Sequence, residues 1–144
     1  MNWLLLPAAG VALFIGLGIL SQKGEAAGLL DGKLREPDHK PNNVCSETGA
    51  QPERAIEPLK AKFSDVADAI EATGGTITAR SNDYISATYM SRIFKFVDDV
   101  EIRRDGDFTQ IRSASRVGYS DRGVNRKRVE MIRSYLQSST EHEM

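Results

Sequence analysis

The most restrictive feature of the sequence is an apolar segment at its start. From Trp3 to Leu20 there is no charged residue, and most positions are Leu, Ile, Val, Phe, Ala or Gly. A run of about 18 such residues is just inside the length that crosses a bilayer as a helix. Backbone polar groups in lipid must pair within the segment, so the run has to be helical. The sequence therefore predicts a transmembrane anchor over residues 1–22.

An alternative for this segment is a secretory signal peptide, removed after Ala26 in the small-residue stretch Gly24-Glu25-Ala26-Ala27. The anchor is favoured because the run exceeds a usual signal-peptide core and no Lys or Arg precedes it. The cations that follow, Lys23, Lys33 and Arg35, favour a cytoplasmic location for the rest of the chain.

Composition limits the chemistry that the rest of the chain can perform. The 144 residues carry a net charge of −1, so nothing in the totals attracts nucleic acid. Cys45 is the single cysteine and His39 and His142 are the two histidines, which excludes an intrachain disulfide and makes a Cys/His metal site improbable. We expect no metal and no cofactor.

Residues 23–57 are polar, contain several prolines and show no periodicity, which predicts a linker and extended arm. An α+β domain over residues 58–138 follows. Its first helix spans Leu59 to Thr73, where apolar residues recur at helical spacing between Pro58 and Gly74-Gly75.

Alternating residues and turn signals then predict an antiparallel sheet. The expected strands cover residues 76–80, 84–91, 92–104 and 108–115, the third with a bulge at Asp98-Asp99 and the last following the hairpin turn Asp105-Gly106-Asp107. A second helix begins at Asn125 as its N-cap, and residues 139–144 are expected to be a disordered tail. The predicted fold is thus α+β: a helix, about four antiparallel strands and a helix on one face, preceded by one transmembrane helix.

The segment between the last strand and the last helix departs most from generic sequence. It contains the pattern Ser113-x-Ser115-Arg116-x-Gly118-x-x-Asp121-x-Gly123-x-Asn125-x-x-Arg128. With Phe96-Val97-Asp98-Asp99-Val100-Glu101, this pattern resembles the domain-of-unknown-function family fourteen ninety-nine, from about Pro41 to Leu136. The family's Pro-Asn-Cys-Val-Ser stretch corresponds to Pro41-Asn42-Asn43-Val44-Cys45-Ser46, with the cysteine two positions later. The resemblance implies a compact domain of bacterial envelopes and plant plastids, often beside a membrane segment, and implies no reaction.

Three interpretations of this segment remain open. In the first it is structural: Ser113, Ser115 and Asp121 brace a turn, Gly118 and Gly123 supply positive φ, and Arg116 bridges to Asp98, Asp99 or Glu101. In the second it binds an anion or a partner, because residues 112–133 hold seven cations against two acidic residues, an excess of five. In the third it is catalytic, although Ser115 or Ser120 with Asp121 lacks the histidine of a hydrolase triad.

The function that we expect is a membrane-tethered, non-catalytic binding or accessory module. It associates through its basic, arginine-rich loop with a membrane protein complex or anionic lipid, and not with nucleic acid. Seven candidate binding residues follow: Arg112, Arg116, Tyr119, Asp121, Asn125, Arg126 and Arg128. The alternative is an envelope enzyme acting on an anionic substrate, with Asp121 or Asp99 as acid/base and Arg116 as oxyanion partner. From the resemblance, we expect the domain on the periplasmic side of a bacterial inner membrane.

Overall fold

The fold is α+β, with three helices, a five-stranded antiparallel sheet and a two-stranded sheet. The structure, a computed structural model, describes residues 5–37, 40–118, 122–142 and 144. The elements in chain order are α1 (Leu5–Gln22), β1 (Leu29–Leu30), β2 (Lys33–Leu34), β3 (Asn43–Cys45), α2 (Phe63–Ala72), β4 (Thr76–Arg80), β5 (Tyr84–Met90), β6 (Val97–Asp105), β7 (Phe108–Ser115) and α3 (Val124–His142).

The main sheet has the order β3-β7-β6-β5-β4, in which every neighbouring pair is antiparallel. Its four consecutive strands β4 to β7 confirm the predicted meander. The fifth strand, β3, was not predicted, because three residues are too short for a periodic signal. It comes from the polar arm and pairs with β7, placing Val44 opposite Ser113.

The bulge predicted at Asp98-Asp99 is wrong. Pairing between β5 and β6 continues without a shift from Tyr84–Arg103 to Met90–Val97. Asp98 and Asp99 fit a regular strand because each finds an arginine on its own face of the sheet. The register shift lies instead between Ile77 and Ala79, in the β4–β5 pair.

The hydrophobic core lies between α2 and α3 and one face of the sheet. Helix α2 contributes Phe63, Val66, Ala67 and Ile70, the i, i+3, i+4, i+7 spacing of an amphipathic helix. It ends where Gly75 donates its N–H to the Ile70 carbonyl, and a Cβ at Gly75 would come within 2.6 Å of the Ile70 side chain. The sequence prediction of two helices on one face is confirmed, but α2 begins at Phe63 and not at Leu59, and β6 begins at Val97 and not at residue 92.

Both ends of α3 differ from the prediction. The helix begins at Val124, so Asn125 lies inside its first turn and is not the N-cap. Its side chain is fully buried and bonds to the sheet. The helix also continues to His142, so residues 139–142 of the predicted tail are helical.

Helix α1 packs by its last turns against the loop between β5 and β6. Phe14 contacts the rings of Phe94 and Phe96 at centroid distances of 5.1 and 6.3 Å. Ser21 accepts the N–H of Val97 on its Oγ at 3.0 Å. None of the helices in the described part of the chain is long and apolar enough to cross a membrane. The predicted N-terminal helix is confirmed, whereas its membrane-spanning character is not.

The arm after α1 is ordered along the sheet face opposite α2 and α3. We call its first part, residues 23–35, the strap. Its β1–β2 hairpin buries Leu34, and the Gly28 N–H donates to Glu101 on β6 at 2.7 Å. Part of the sheet's polar face is therefore covered by chain that local sequence patterns describe as linker and extended arm.

Candidate functional site

Asn125 is the hub of a buried hydrogen-bond network on the helix-covered face of the sheet. Strand alternation turns Ser113 and Ser115 toward α3. The Ser113 hydroxyl donates to Asn125 Oδ1 at 2.6 Å, while Asn125 Nδ2 donates to Ser115 Oγ at 2.9 Å and to the Asn42 carbonyl at 2.8 Å. One amide thus fastens α3 to β7 and to the segment leading into β3.

Arg128 extends this network to β6. Its guanidinium forms an ion pair with Asp98 at 2.8 Å, donates to Asn125 Oδ1 at 2.9 Å and lies 4.8 Å above the ring of Tyr89. Burial raises the pKa of Tyr89, whose hydroxyl donates to the Ile70 carbonyl of α2. Arg128 is therefore enclosed by a carboxylate, an amide and an aromatic ring, and acts as a brace between helix and sheet.

Among the described residues, the opposite face carries three largely buried acid–arginine pairs, which we call the ion-pair row. They are Glu47–Arg103 at 2.7 Å, Glu101–Arg112 at 3.0 Å and Asp99–Arg116 at 2.7 Å. Asp99, Glu101 and Arg103 occupy alternate positions of β6 and so share one face. All six side chains are largely buried, so the charges depend on one another for compensation.

Glu101 lies at the centre of the row and is fully buried. It accepts hydrogen bonds from the Tyr84 hydroxyl at 2.7 Å, from Arg112 Nη1 at 3.0 Å and from the strap through Gly28. Burial, and then the hydrogen bond to Glu101, raise the pKa of Tyr84 above its ordinary value. Tyr84 is thus held as a neutral donor.

Arg116 connects the row to α1. Its Nε and Nη2 donate to the two Asp99 oxygens at 2.8 and 2.7 Å, and its Nη1 donates to the Ser21 carbonyl at 3.1 Å. Hydrogen bonding to Asp99 raises the pKa of Arg116. Asp99 thus holds the Arg116 guanidinium in place, and its third nitrogen fixes the C-terminal end of α1 against the polar face.

A cleft of about 720 Å³ opens between the strap and strands β4 and β5. Gly24, Glu25 and Ala26 form its strap side. The sheet side is rich in hydroxyl groups: Thr78, Tyr84, Ser86 and Thr88, with Met90 and Arg116 at its margins. Such a lining suits a polar group that both donates and accepts hydrogen bonds.

The structure separates the seven candidate residues. Arg112 and Arg116 belong to the ion-pair row, whereas Asn125 and Arg128 lie on the other side of the sheet. Arg126 is exposed and donates to the carbonyls of Glu53 and Ala55. Tyr119 and Asp121 lie outside the described residues. The five candidates that the structure describes do not form one basic surface.

The structural interpretation of the segment is confirmed at several positions. Arg116 binds Asp99, which is one of the three partners expected for it. Gly118 and Gly123 have the expected positive φ, at 88° and 80°. Glu47, Arg103 and Tyr84 were missed as members of the polar face. The alternation Asp99-Glu101-Arg103 along one strand is the sequence signal that indicates Arg103, whereas Glu47 and Tyr84 lie elsewhere in the chain.

Cys45 is fully buried, and burial raises its pKa, which disfavours the reactive thiolate. Among residues 5–37, 40–118, 122–142 and 144, no three His, Cys, Asp or Glu side chains group in a way that could hold a metal ion. The described site therefore consists of ion pairs, hydroxyls and one cleft.

The sequence profile of a protein family described as Protein of unknown function (DUF1499) matches residues 33–136 of the 144-residue chain. The chain belongs to the DUF1499 family. The DUF1499 match includes the Asn125 network and all three pairs of the ion-pair row, and begins after α1. No curated protein and no solved structure matches the chain.

Proposed function

We propose that this DUF1499 protein is a membrane-tethered, non-catalytic binding module, with α1 as the tether and residues 33–136 as the binding domain. One observation carries the proposal. Helix α1 has no charged residue, and it leaves large apolar side chains exposed, among them Leu13 (62%) and Leu20 (58%). The sides of α1 that do not pack on the β5–β6 loop therefore require an apolar environment, and a bilayer provides one.

The arginines contribute to this function as braces. Arg112, Arg116 and Arg128 each have a carboxylate partner and are mostly buried. An anion at one of them would have to displace that carboxylate, and breaking a buried pair costs about 3–5 kcal/mol. The proposal therefore assigns ligand binding to the hydroxyl-lined cleft, where the polar end of a lipid or small amphiphile would contact Thr78, Ser86 and Thr88.

Vesicle flotation of the full chain tests the tether. The parent should float with phosphatidylcholine–phosphatidylglycerol vesicles, and Leu13→Arg should reduce the floating fraction because it places a charge in the apolar run. Met131→Arg, at a similarly exposed site on α3, is the matched control and should float like the parent. Equal flotation of all three proteins would contradict the tether.

Mass analysis of co-purifying lipids tests the cleft. A lipid retained by the parent in mild detergent should be lost from Thr88→Phe, since the larger side chain fills the cleft beside Ser86. Retention of the same lipid by Thr88→Phe would place the ligand elsewhere. A stoichiometric protein in the purified sample would instead favour an accessory subunit.

The proposal places the domain on the periplasmic side of a bacterial inner membrane, as the family resemblance implies. Cys45 is too buried to report topology. In Ser139→Cys, at an exposed site of α3, an impermeant thiol reagent should label intact cells, while the parent stays unlabelled. Labelling of Ser139→Cys only after lysis would place the domain in the cytoplasm.

An envelope enzyme acting on an anionic substrate is the second candidate, because Arg116 lines the cleft. However, both oxygens of Asp99 accept hydrogen bonds from Arg116, so the carboxylate is poorly placed for proton exchange with a substrate. A screen of phosphate and carboxylate esters with the parent and Asp121→Asn distinguishes the candidates. Turnover by the parent that Asp121→Asn abolishes would favour the enzyme.

A further inference from the structure

The loop between β5 and β6, residues 91–96, presents an apolar tip beside α1. Ile93 at this tip is 82% exposed, more than any other large apolar side chain that the structure describes between residues 7 and 142. Met90, at the end of β5 next to the loop, is also exposed. A folded domain that exposes such side chains in one place marks a contact surface.

The loop holds this tip in a defined conformation. The Ser91 N–H donates to the Phe96 carbonyl at 2.9 Å, and the Phe96 N–H donates to Ser91 Oγ at 2.9 Å. Lys95 has a positive φ of 57°, which a non-glycine residue adopts only when its surroundings require it. The exposure of Ile93 is therefore a property of the fold.

Contacts with α1 fix the position of the loop along the apolar helix. Phe94 packs on Phe14, and a Cβ on Gly18 would overlap the Phe94 carbonyl oxygen. The apolar run continues from Phe14 to Leu20, a further six residues or roughly 9 Å along the helix axis. The Lys95 carbonyl accepts the Ser21 hydroxyl at 3.4 Å, directly after Leu20, so an α1 that enters lipid as far as Leu20 places the loop backbone at the bilayer surface and the Phe94 ring below it.

The charges next to the tip suit an anionic lipid surface. Arg92 and Lys95 flank Ile93-Phe94, and both side chains are exposed. Basic side chains at a membrane surface are attracted to anionic headgroups. An apolar side chain between two of them can enter the membrane interface. Apolar tip, flanking cations and an adjacent apolar helix together indicate lipid as the partner.

We infer that the β5–β6 loop inserts Ile93 into the interface of the bilayer that receives α1, with Arg92 and Lys95 at the level of anionic headgroups. This inference rests on the proposed tether and adds a second point of contact. With two contacts the domain has a fixed orientation, in which the end of the cleft lined by Met90 lies nearest the lipid surface.

Fluorescence quenching by brominated acyl chains tests the tether and the loop separately. Trp3 is the chain's single tryptophan, so the unmodified protein reports on the apolar segment. In a Trp3→Phe background, Ile93→Trp reports on the loop, and Phe108→Trp, at the β6–β7 turn on the far end of the sheet, is the control. All three proteins are mixed with brominated phosphatidylcholine–phosphatidylglycerol vesicles.

We expect quenching of Trp3 and of the Ile93→Trp reporter, at least severalfold greater than that of the Phe108→Trp reporter. Quenching of Trp3 with equal, weak quenching of both domain reporters would overturn the loop inference and leave the tether intact. An unquenched Trp3 would overturn the tether and the inference together. Ile93 is exposed, so its substitution leaves the fold intact, which thermal melting of the reporter verifies.

Discussion

At the scale of single residues, the position of an arginine relative to the sheet decides its role. Arg126 and Arg128 are two positions apart, yet Arg128 binds Asp98 inside the domain and Arg126 contacts backbone carbonyls at the surface. The helical rotation between them places one on the buried face and the other toward solvent. Sequence composition alone treats the two as equivalent.

We expect Arg128→Ala to lower the free energy of unfolding by about 3–5 kcal/mol, because it breaks the Arg128–Asp98 ion pair in a largely buried site. Arg126→Ala, the matched control, should cost less than about 1 kcal/mol, as is usual for exposed contacts. Urea unfolding of both variants measures the difference. A stable Arg128→Ala with weakened lipid or partner binding would contradict the bracing role.

Asn125→Ala should destabilise the domain by about 2–4 kcal/mol. The change removes hydrogen bonds to Ser113, Ser115 and the Asn42 carbonyl in a fully buried site, where an unsatisfied group costs about 1–3 kcal/mol; the Asn42 carbonyl keeps the Ser115 N–H. Asn82→Ala, at an exposed turn, should change stability by no more than about 0.5 kcal/mol. Thermal melting compares the two, and similar melting temperatures would remove Asn125 as the hub.

The raised pKa of Tyr84 predicts that the free energy of unfolding falls in alkaline solution. Its pKa is raised in the folded protein, so its contribution is complete below the ordinary tyrosine pKa of 10.0 and is lost as the pH rises above that value. Tyr84→Phe should therefore lose less stability than the parent between about pH 9 and pH 11. Urea titrations across this range measure both, and parallel curves would contradict the effect.

The candidate site shows where sequence reasoning ends at this scale. The arginine-rich segment and its glycines were recognisable, since both are local. The partners were not fixed, because Arg112 and Arg116 meet carboxylates 11 and 17 residues earlier, on the neighbouring strand. Register decides which acid faces which arginine, and the expected bulge at Asp98-Asp99 would have changed it.

At the scale of elements, the sequence predicts those helices and strands whose apolar residues repeat at helical or strand spacing over several residues. Helix α2 and strands β4 to β7 met that condition. Strand β3 and the strap did not. Strand β3 is held by its pairing with β7, and the strap is held by hydrogen bonds to Glu101 and Glu47. Such non-local contacts leave no local signature in a polar segment.

Gly18 is the position on which docking of α1 depends. Gly18→Ala places a methyl group against the Phe94 carbonyl, whereas Gly16→Ala points into open space. A clash of about 1–3 kcal/mol should speed hydrogen exchange of the Val97 amide, which is bonded to Ser21, roughly five- to hundredfold. Gly16→Ala is the control. Unchanged exchange in Gly18→Ala would show that α1 does not dock as described.

At the scale of the whole molecule, α1, the strap and the sheet form one structure. Arg116 binds both Asp99 and the Ser21 carbonyl, and Glu101 accepts the Gly28 N–H. Cleavage after Ala26, as in the signal-peptide alternative, would remove Ser21 and the strap side of the cleft. The built-in contacts of this segment favour its retention in the mature protein.

The most direct test of the central claim is alkaline extraction of native membranes, followed by intact-mass measurement of the protein. Our account predicts that the chain stays in the membrane pellet with a mass that still includes residues 1–26. A chain shortened after Ala26 and recovered in the soluble fraction would contradict it.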